Sequence, residues 1–160
     1  MEMNEHEIAW WEMSVTSLIL QRAWGMELGQ IGLTVPQTLV LIMVAGSPEP
    51  ITPMKLSKLL HREPHTISAL LTRMEAQGLV KKERNMERGN WVRVTLTKKG
   101  KEAYQRQVVA RKVRNITECL SKQELDTLNK MNRKLRARGV ELLRDPSSTV
   151  TSRFERGIWA

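Results

Sequence analysis

Residues 52–100 read TPMKLSKLLHREPHTISALLTRMEAQGLVKKERNMERGNWVRVTLTKKG. The stretch is punctuated as two short helices followed by a hairpin. Thr52 is a capping residue and Pro53 suits a first helical position. Met54, Leu56, Leu59 and Leu60 follow, and the pattern stops near His61. Pro64 opens a second helix almost at once, with Ile67, Leu70, Leu71 and Met74 on one face as far as Gln77. Gly78 then stands where a left-handed C-terminal residue is expected. Two extended segments come next, Leu79–Arg84 and Trp91–Leu96, joined by Asn85-Met86-Glu87-Arg88-Gly89-Asn90. Val92, Val94 and Leu96 alternate with Arg93 and Thr95, the period of a strand with one buried face.

Two helices joined by a tight turn form a helix-turn-helix, whose second helix can enter the DNA major groove. Its outward residues are His65, Thr66, Ser68, Ala69 and Thr72, small or hydrogen-bonding groups suited to base edges and thymine methyls. The same composition also suits a plain solvated face. The hairpin carries Lys81, Lys82, Arg84, Arg88 and Arg93 beside Asn90. A basic ribbon of this kind can lie along a minor groove, with Arg88 at the tip as the candidate for insertion. Alternatively its charges only guard an edge strand. Lys55, Lys58, Arg62, Arg73, Lys98 and Lys99 are candidate phosphate contacts, which hold register but carry no sequence information.

The flanks are helical. Residues 5–27 place Ile8, Trp11, Val15, Leu18, Ile19 and Met26 at helical spacing, with Gly29 and Gly32 as terminators. Thr34 with Gln37 three residues on makes a capping box before Leu39-Val40-Leu41-Ile42, and Gly46-Ser47-Pro48 closes that helix. Beyond the hairpin, Thr97 caps a long helix to about Cys119, bearing Tyr104, Val108, Val109, Val113, Ile116 and Leu120. Ser121 and Glu124 form a second capping box, opening a last helix with Leu125, Leu128, Met131, Leu135 and Leu142. Asp145-Pro146-Ser147-Ser148 breaks it, and residues 146–160 form a tail without periodicity. The fold class is mainly α with a small β-hairpin wing.

Charge is distributed unevenly. Residues 1–50 hold one base and six acids, net −5; residues 51–114 hold sixteen bases and five acids, net +11; residues 115–160 hold nine and six, net +3. The positive field therefore coincides with the helix-turn-helix and hairpin, where it draws polyanions. The single cysteine, Cys119, cannot form an intramolecular disulfide, which fits a reducing compartment. An acidic N-terminus and the absence of a long apolar run speak against export and membrane insertion, so the expected location is cytoplasmic. His6, His61 and His65 lack metal-ligand spacing, and no phosphate loop, nucleophile elbow or carboxylate pair is present. The expectation is a non-enzyme without metal or cofactor.

Leu33 to Lys101 resembles the multiple-antibiotic-resistance regulator (MarR) family of winged-helix proteins. The matching residues are Leu33-Thr34-x-x-Gln37, Met54-Lys55-Leu56-Ser57-Lys58-Leu59-Leu60, Thr66-Ile67-Ser68-x-Leu70-Leu71-x-Arg73-Met74-Glu75-x-x-Gly78-Leu79-Val80, and Val94-x-Leu96-Thr97-x-x-Gly100. The resemblance implies one domain over 1–160. Within it, 33–100 would be the winged helix-turn-helix lobe, and 1–32 with 101–145 the flanking N- and C-terminal dimerisation helices. It also implies double-stranded DNA as partner, a homodimer, and a small lipophilic or aromatic effector. Trp11, Met13, Trp24 and Met43 are candidates for the effector pocket, although such residues also serve as core or dimer interface. The wing departs from the family pattern Asp-x-Arg. The arginine position falls on Asn90 and the acid position on Arg88, so Arg88 is a displaced candidate. The expected function is a sequence-specific transcription regulator, repressing from a pseudo-palindromic operator. The alternatives are a winged-helix protein–protein adaptor and a non-specific architectural DNA binder.

Overall fold

Local side-chain chemistry begins almost every helix in the computed structural model, which describes residues 3–85, 91–108 and 112–144. Helix α1 (Glu5–Gln30) starts from a capping box in which Asn4 accepts the His6 and Glu7 amides and Glu7 accepts the Asn4 amide. It continues past Gly29, three residues beyond the expected end, and Gly32 at φ +73° turns the chain. Helix α2 (Val35–Gly46) has the expected box: Gln37 Oε1 accepts the Thr34 amide at 2.9 Å, and Thr34 Oγ1 accepts the Gln37 amide. Helix α3 (Pro53–Leu60) starts from Thr52, which accepts the Lys55 amide at 3.1 Å.

Helix α4 (Pro64–Ala76) follows after a three-residue turn and ends at Gly78, φ +70°. There the Leu79 amide reaches the Met74 carbonyl and the Gly78 amide that of Glu75, closing the last turn. Strands β1 (Val80–Asn85) and β2 (Trp91–Leu96) pair antiparallel, Val80 opposite Leu96 and Asn85 opposite Trp91. The Val94 amide also donates to the Ile51 carbonyl, so the segment before α3 borders β2.

The expected long helix after Thr97 is described as α5 (Lys98–Val108) and α6 (Lys112–Thr117), residues 109–111 lying outside the described residues. Helix α7 (Lys122–Arg144) opens on the predicted box, with Glu124 Oε2 accepting the Ser121 amide at 2.8 Å. The tail expected over 146–160 lies outside the described residues.

By contact the chain divides at Arg114/Asn115 into two units. In the first, Leu28 of α1, Val40 and Leu41 of α2, Leu56 of α3, and Ile67, Leu71 and Met74 of α4 form one core with Val80, Val94 and Ala103. Burying this set supplies the main driving force for the lobe. The α1 stripe behaves differently: Ile8, Trp11, Leu18, Ile19 and Met26 are exposed, and only Leu28 of that helix is fully buried. In the second unit, Leu128, Met131, Leu135 and Leu142 of α7 are exposed. No single helix among the described residues is long and apolar enough to cross a membrane.

Candidate nucleic-acid interface

The α3–α4 turn is fixed from inside. Buried Ser57 donates its hydroxyl to the Arg62 carbonyl at 2.6 Å, and the Arg62 amide returns to the Ser57 carbonyl at 3.1 Å. His61 takes the left-handed conformation, φ 49°, to make the reversal. Glu63 at the start of α4 makes no side-chain cap, so the first-turn amides are free of a competing carboxylate.

This frame sorts α4 into two faces. Ile67, Leu70, Leu71 and Met74 are buried, while His65, Thr66, Ser68, Ala69, Thr72 and Arg73 are all exposed. His65, Ser68, Ala69 and Thr72 follow the i, i+3, i+4, i+7 spacing of one helical stripe. The stripe is continuous, and all of it but Ala69 is polar.

The far end of α4 is held by the start of α5. Thr97 donates its hydroxyl to the Gly78 carbonyl at 2.5 Å, and Lys99 Nζ donates to the Gln77 carbonyl at 2.9 Å. A lysine at a helix C-terminus also complements the helix dipole there. Gln37 Nε2 donates to Gln77 Oε1 at 2.6 Å, tying α2 to the same point.

The predicted cations divide by what they touch. The side chains of Lys58, Arg62, Arg73 and Lys98 are exposed and have no hydrogen-bond or ion-pair partner among the described residues. Lys55 lies 4.0 Å from Glu49, a loose surface pair. Lys99 is occupied at the end of α4. On the wing, Arg93 pairs with Glu83 at 2.6 Å and Lys81 with Glu83 at 3.1 Å. The Lys81 hydrogen bond, then that of Arg93, holds the Glu83 carboxyl below its ordinary pKa. Lys82 turns towards α4, to Glu75 at 2.9 Å and Thr72 at 3.2 Å. Arg84 sits opposite Val92 in the ladder, while Arg88 and Asn90 lie outside the described residues.

A cavity of about 390 Å³ opens beside the interface, between α1, α2, α3 and α4. Trp24, Pro36, Leu39 and Leu60 give it an apolar wall; Gln21, Thr66, Arg62 and Arg73 supply its polar atoms. Of the four effector-pocket candidates, Trp24 lines this cavity. Met43 packs against the core, and Trp11 and Met13 are 54% and 42% exposed on α1. Gln21, Pro36 and Leu39 carry no signal of this cavity in the sequence, and Arg62 and Arg73, candidate phosphate contacts, line it as well. Cys119 is exposed, its thiol donating to the Ile116 carbonyl. Among the described residues, no three His, Cys, Asp or Glu side chains converge on a metal site.

An exposed polar stripe on the second helix of a helix-turn-helix, with a two-stranded wing behind it, defines a winged helix-turn-helix protein. Residues 31–93 match the model of the MarR family. The chain is similar to the organohalide-sensing transcriptional regulator RdhR in its ligand-free form. The TM-score is 0.79 at 23% identity, over 92% of this chain and 88% of that one. The same figures hold for that protein's 2,4-dichlorophenol-bound form. It is also similar to a cysteine-to-serine mutant of MarR from E. coli in complex with operator DNA (TM-score 0.69, 24% identity, 77% of this chain and 89% of that one). A MarR family protein from Bacillus stearothermophilus gives a TM-score of 0.66 at 25% identity, over 87% and 99% of the two chains. Among curated proteins, none matches.

Proposed function

We propose that the protein is a cytoplasmic, homodimeric regulator of transcription that reads double-stranded DNA with α4 and represses from a pseudo-palindromic operator. It performs no catalysis in this reading. One observation carries it: α4 turns His65, Ser68, Ala69 and Thr72 outward, and four exposed cations of the same lobe, Lys58, Arg62, Arg73 and Lys98, have side chains without a protein partner among the described residues. Phosphates would engage those cations and the stripe would meet base edges. The E. coli relative bound to operator DNA has the same fold, which supports the assignment.

Dimerisation through the flanking segments, 1–32 and 101–145, gives the exposed apolar side chains of α1 and of α7 a partner. Two copies would then present two α4 helices to half-sites about one DNA turn, ~34 Å, apart. The cavity beside α4 suits a small aromatic molecule carrying a phenolate or carboxylate. Trp24 and Leu39 would cover its ring, and Arg62 or Arg73 would meet its charge. Because Arg62, Arg73 and Thr66 also belong to the proposed DNA face, an occupant would compete with DNA for them. A fluorescence titration on a duplex of about 20 bp, long enough for two half-sites, tests this. The protein's own promoter should bind far more tightly than a scrambled duplex, and 2,4-dichlorophenol should weaken the complex. Equal affinity for both duplexes would remove the regulator reading.

A further inference from the structure

Lys82 is half-buried at the root of the wing, seven residues beyond Glu75 and across the Gly78 turn. The Glu75 carboxylate holds it at both ends: Oε1 accepts the Lys82 amide at 2.9 Å, and Oε2 lies 2.9 Å from Lys82 Nζ. The amide needs such a partner. Lys82 pairs with Val94, whose own amide points away to Ile51, so this position of the ladder exchanges no hydrogen bonds and the Lys82 N–H faces outward. Lys82 Nζ then donates to Thr72 Oγ1 at 3.2 Å. Thr72 belongs to the outward stripe of α4 and remains exposed.

A hydroxyl carries one proton and two lone pairs. With an ammonium donating into the oxygen, the remaining favourable role of that hydroxyl towards solvent is donation, and a second incoming donor meets a positive charge behind it. We propose that Glu75 and Lys82 fix Thr72 as a hydrogen-bond donor to a base presenting a major-groove acceptor: purine N7, guanine O6 or thymine O4. A cytosine, which presents the N4 amino donor there, is rejected. Lys82 is thereby a positioning residue inside the protein rather than a phosphate contact, and Glu75 keeps it so. The inference rests on α4 reading DNA, and it names which bases one of its residues accepts.

Selection of preferred sites from random duplexes, with the full-length protein, tests it. Wild type should exclude cytosine at one symmetry-related pair of positions. Thr72→Val should lose that exclusion and Thr72→Ser should keep it. Lys82→Met should admit cytosine at the same pair while leaving the slope of log affinity against log salt unchanged, since no counterion-releasing contact is removed. Glu75→Gln frees the Lys82 ammonium for phosphate, so its slope should steepen by about 0.9 per protomer. A Lys82→Met variant whose slope falls by that amount with base preference intact overturns the relay and makes Lys82 a phosphate contact. A wild-type pool that stays random overturns the DNA-reading assignment itself, so the two failures are distinguishable.

Discussion

A Cβ placed on Gly100 would overlap the carbonyl oxygen of Leu79 and lie 3.0 Å from its carbon. Backbone contact of this kind leaves no side chain to swing aside, so glycine is required where α5 docks against the end of α4. Gly100→Ala should destabilise the protein by about 1–3 kcal/mol, the usual cost of overpacking, read from urea unfolding midpoints; an unchanged midpoint would mean that α5 does not bear on Leu79. The carboxyls of Glu75 and Glu83 are held below their ordinary pKa by Lys82, and by Lys81 with Arg93, respectively. A carboxyl whose folded pKa is depressed adds stability above its unfolded value of about 4.3, and that stability is lost as pH falls through the folded value. The melting temperature of a Glu75→Gln, Glu83→Gln double variant should therefore fall less than that of wild type between about pH 5 and pH 3. Identical profiles would show that these pairs are as weak as loose surface pairs. Neither pair is legible in the sequence. Glu75 and Lys82 are seven residues apart across a turn, and Glu83 meets Arg93 only through the ladder register.

At the scale of elements, what can be read is what is written within a few residues. The boxes at Thr34–Gln37 and Ser121–Glu124, the Thr52-Pro53 start and the Gly78 stop are each settled by neighbours along the chain, and each stands where the sequence put it. The Asn4–Glu7 box has the same signature, but Asn4 precedes the apolar pattern by four residues, so periodicity does not point to it. The Ser57–Arg62 clamp closes a turn that carries no capping signature, and the cavity wall depends on contacts between helices, for which no periodicity speaks. Amphipathic spacing placed both faces of α4 correctly, since one face must bury. On that helix two variants should separate two roles. Arg73→Ala should weaken binding to all duplexes alike and reduce the salt slope by about 0.9 per protomer. Ser68→Ala should cost about 1 kcal/mol at the preferred site, the worth of one hydrogen bond, and leave scrambled DNA unaffected. Paired titrations over a range of salt check both, and an Arg73 variant of wild-type affinity would contradict the first.

Across the whole molecule, charge and apolar surface are segregated along the chain. Net +11 over residues 51–114 coincides with α3, α4 and the wing, while the N-terminal fifty residues are acidic and carry three of the five tryptophans. That division suits a chain whose middle meets a polyanion while its flanks meet a second copy of itself. The stripe on α1 illustrates how far one chain's sequence reaches: its periodicity is visible, yet nothing in that pattern distinguishes a face covered by the same chain from one left open. The proposed function requires α4 to lie in a major groove, twice per dimer. Methylation of guanine N7 in a duplex bearing the preferred site reports that groove directly. Bound protein should protect guanines in two patches about one helical turn apart, near 10 bp, while guanines between the patches stay methylated as in free DNA. Guanines methylated as freely in the saturated complex as in bare DNA would contradict the account.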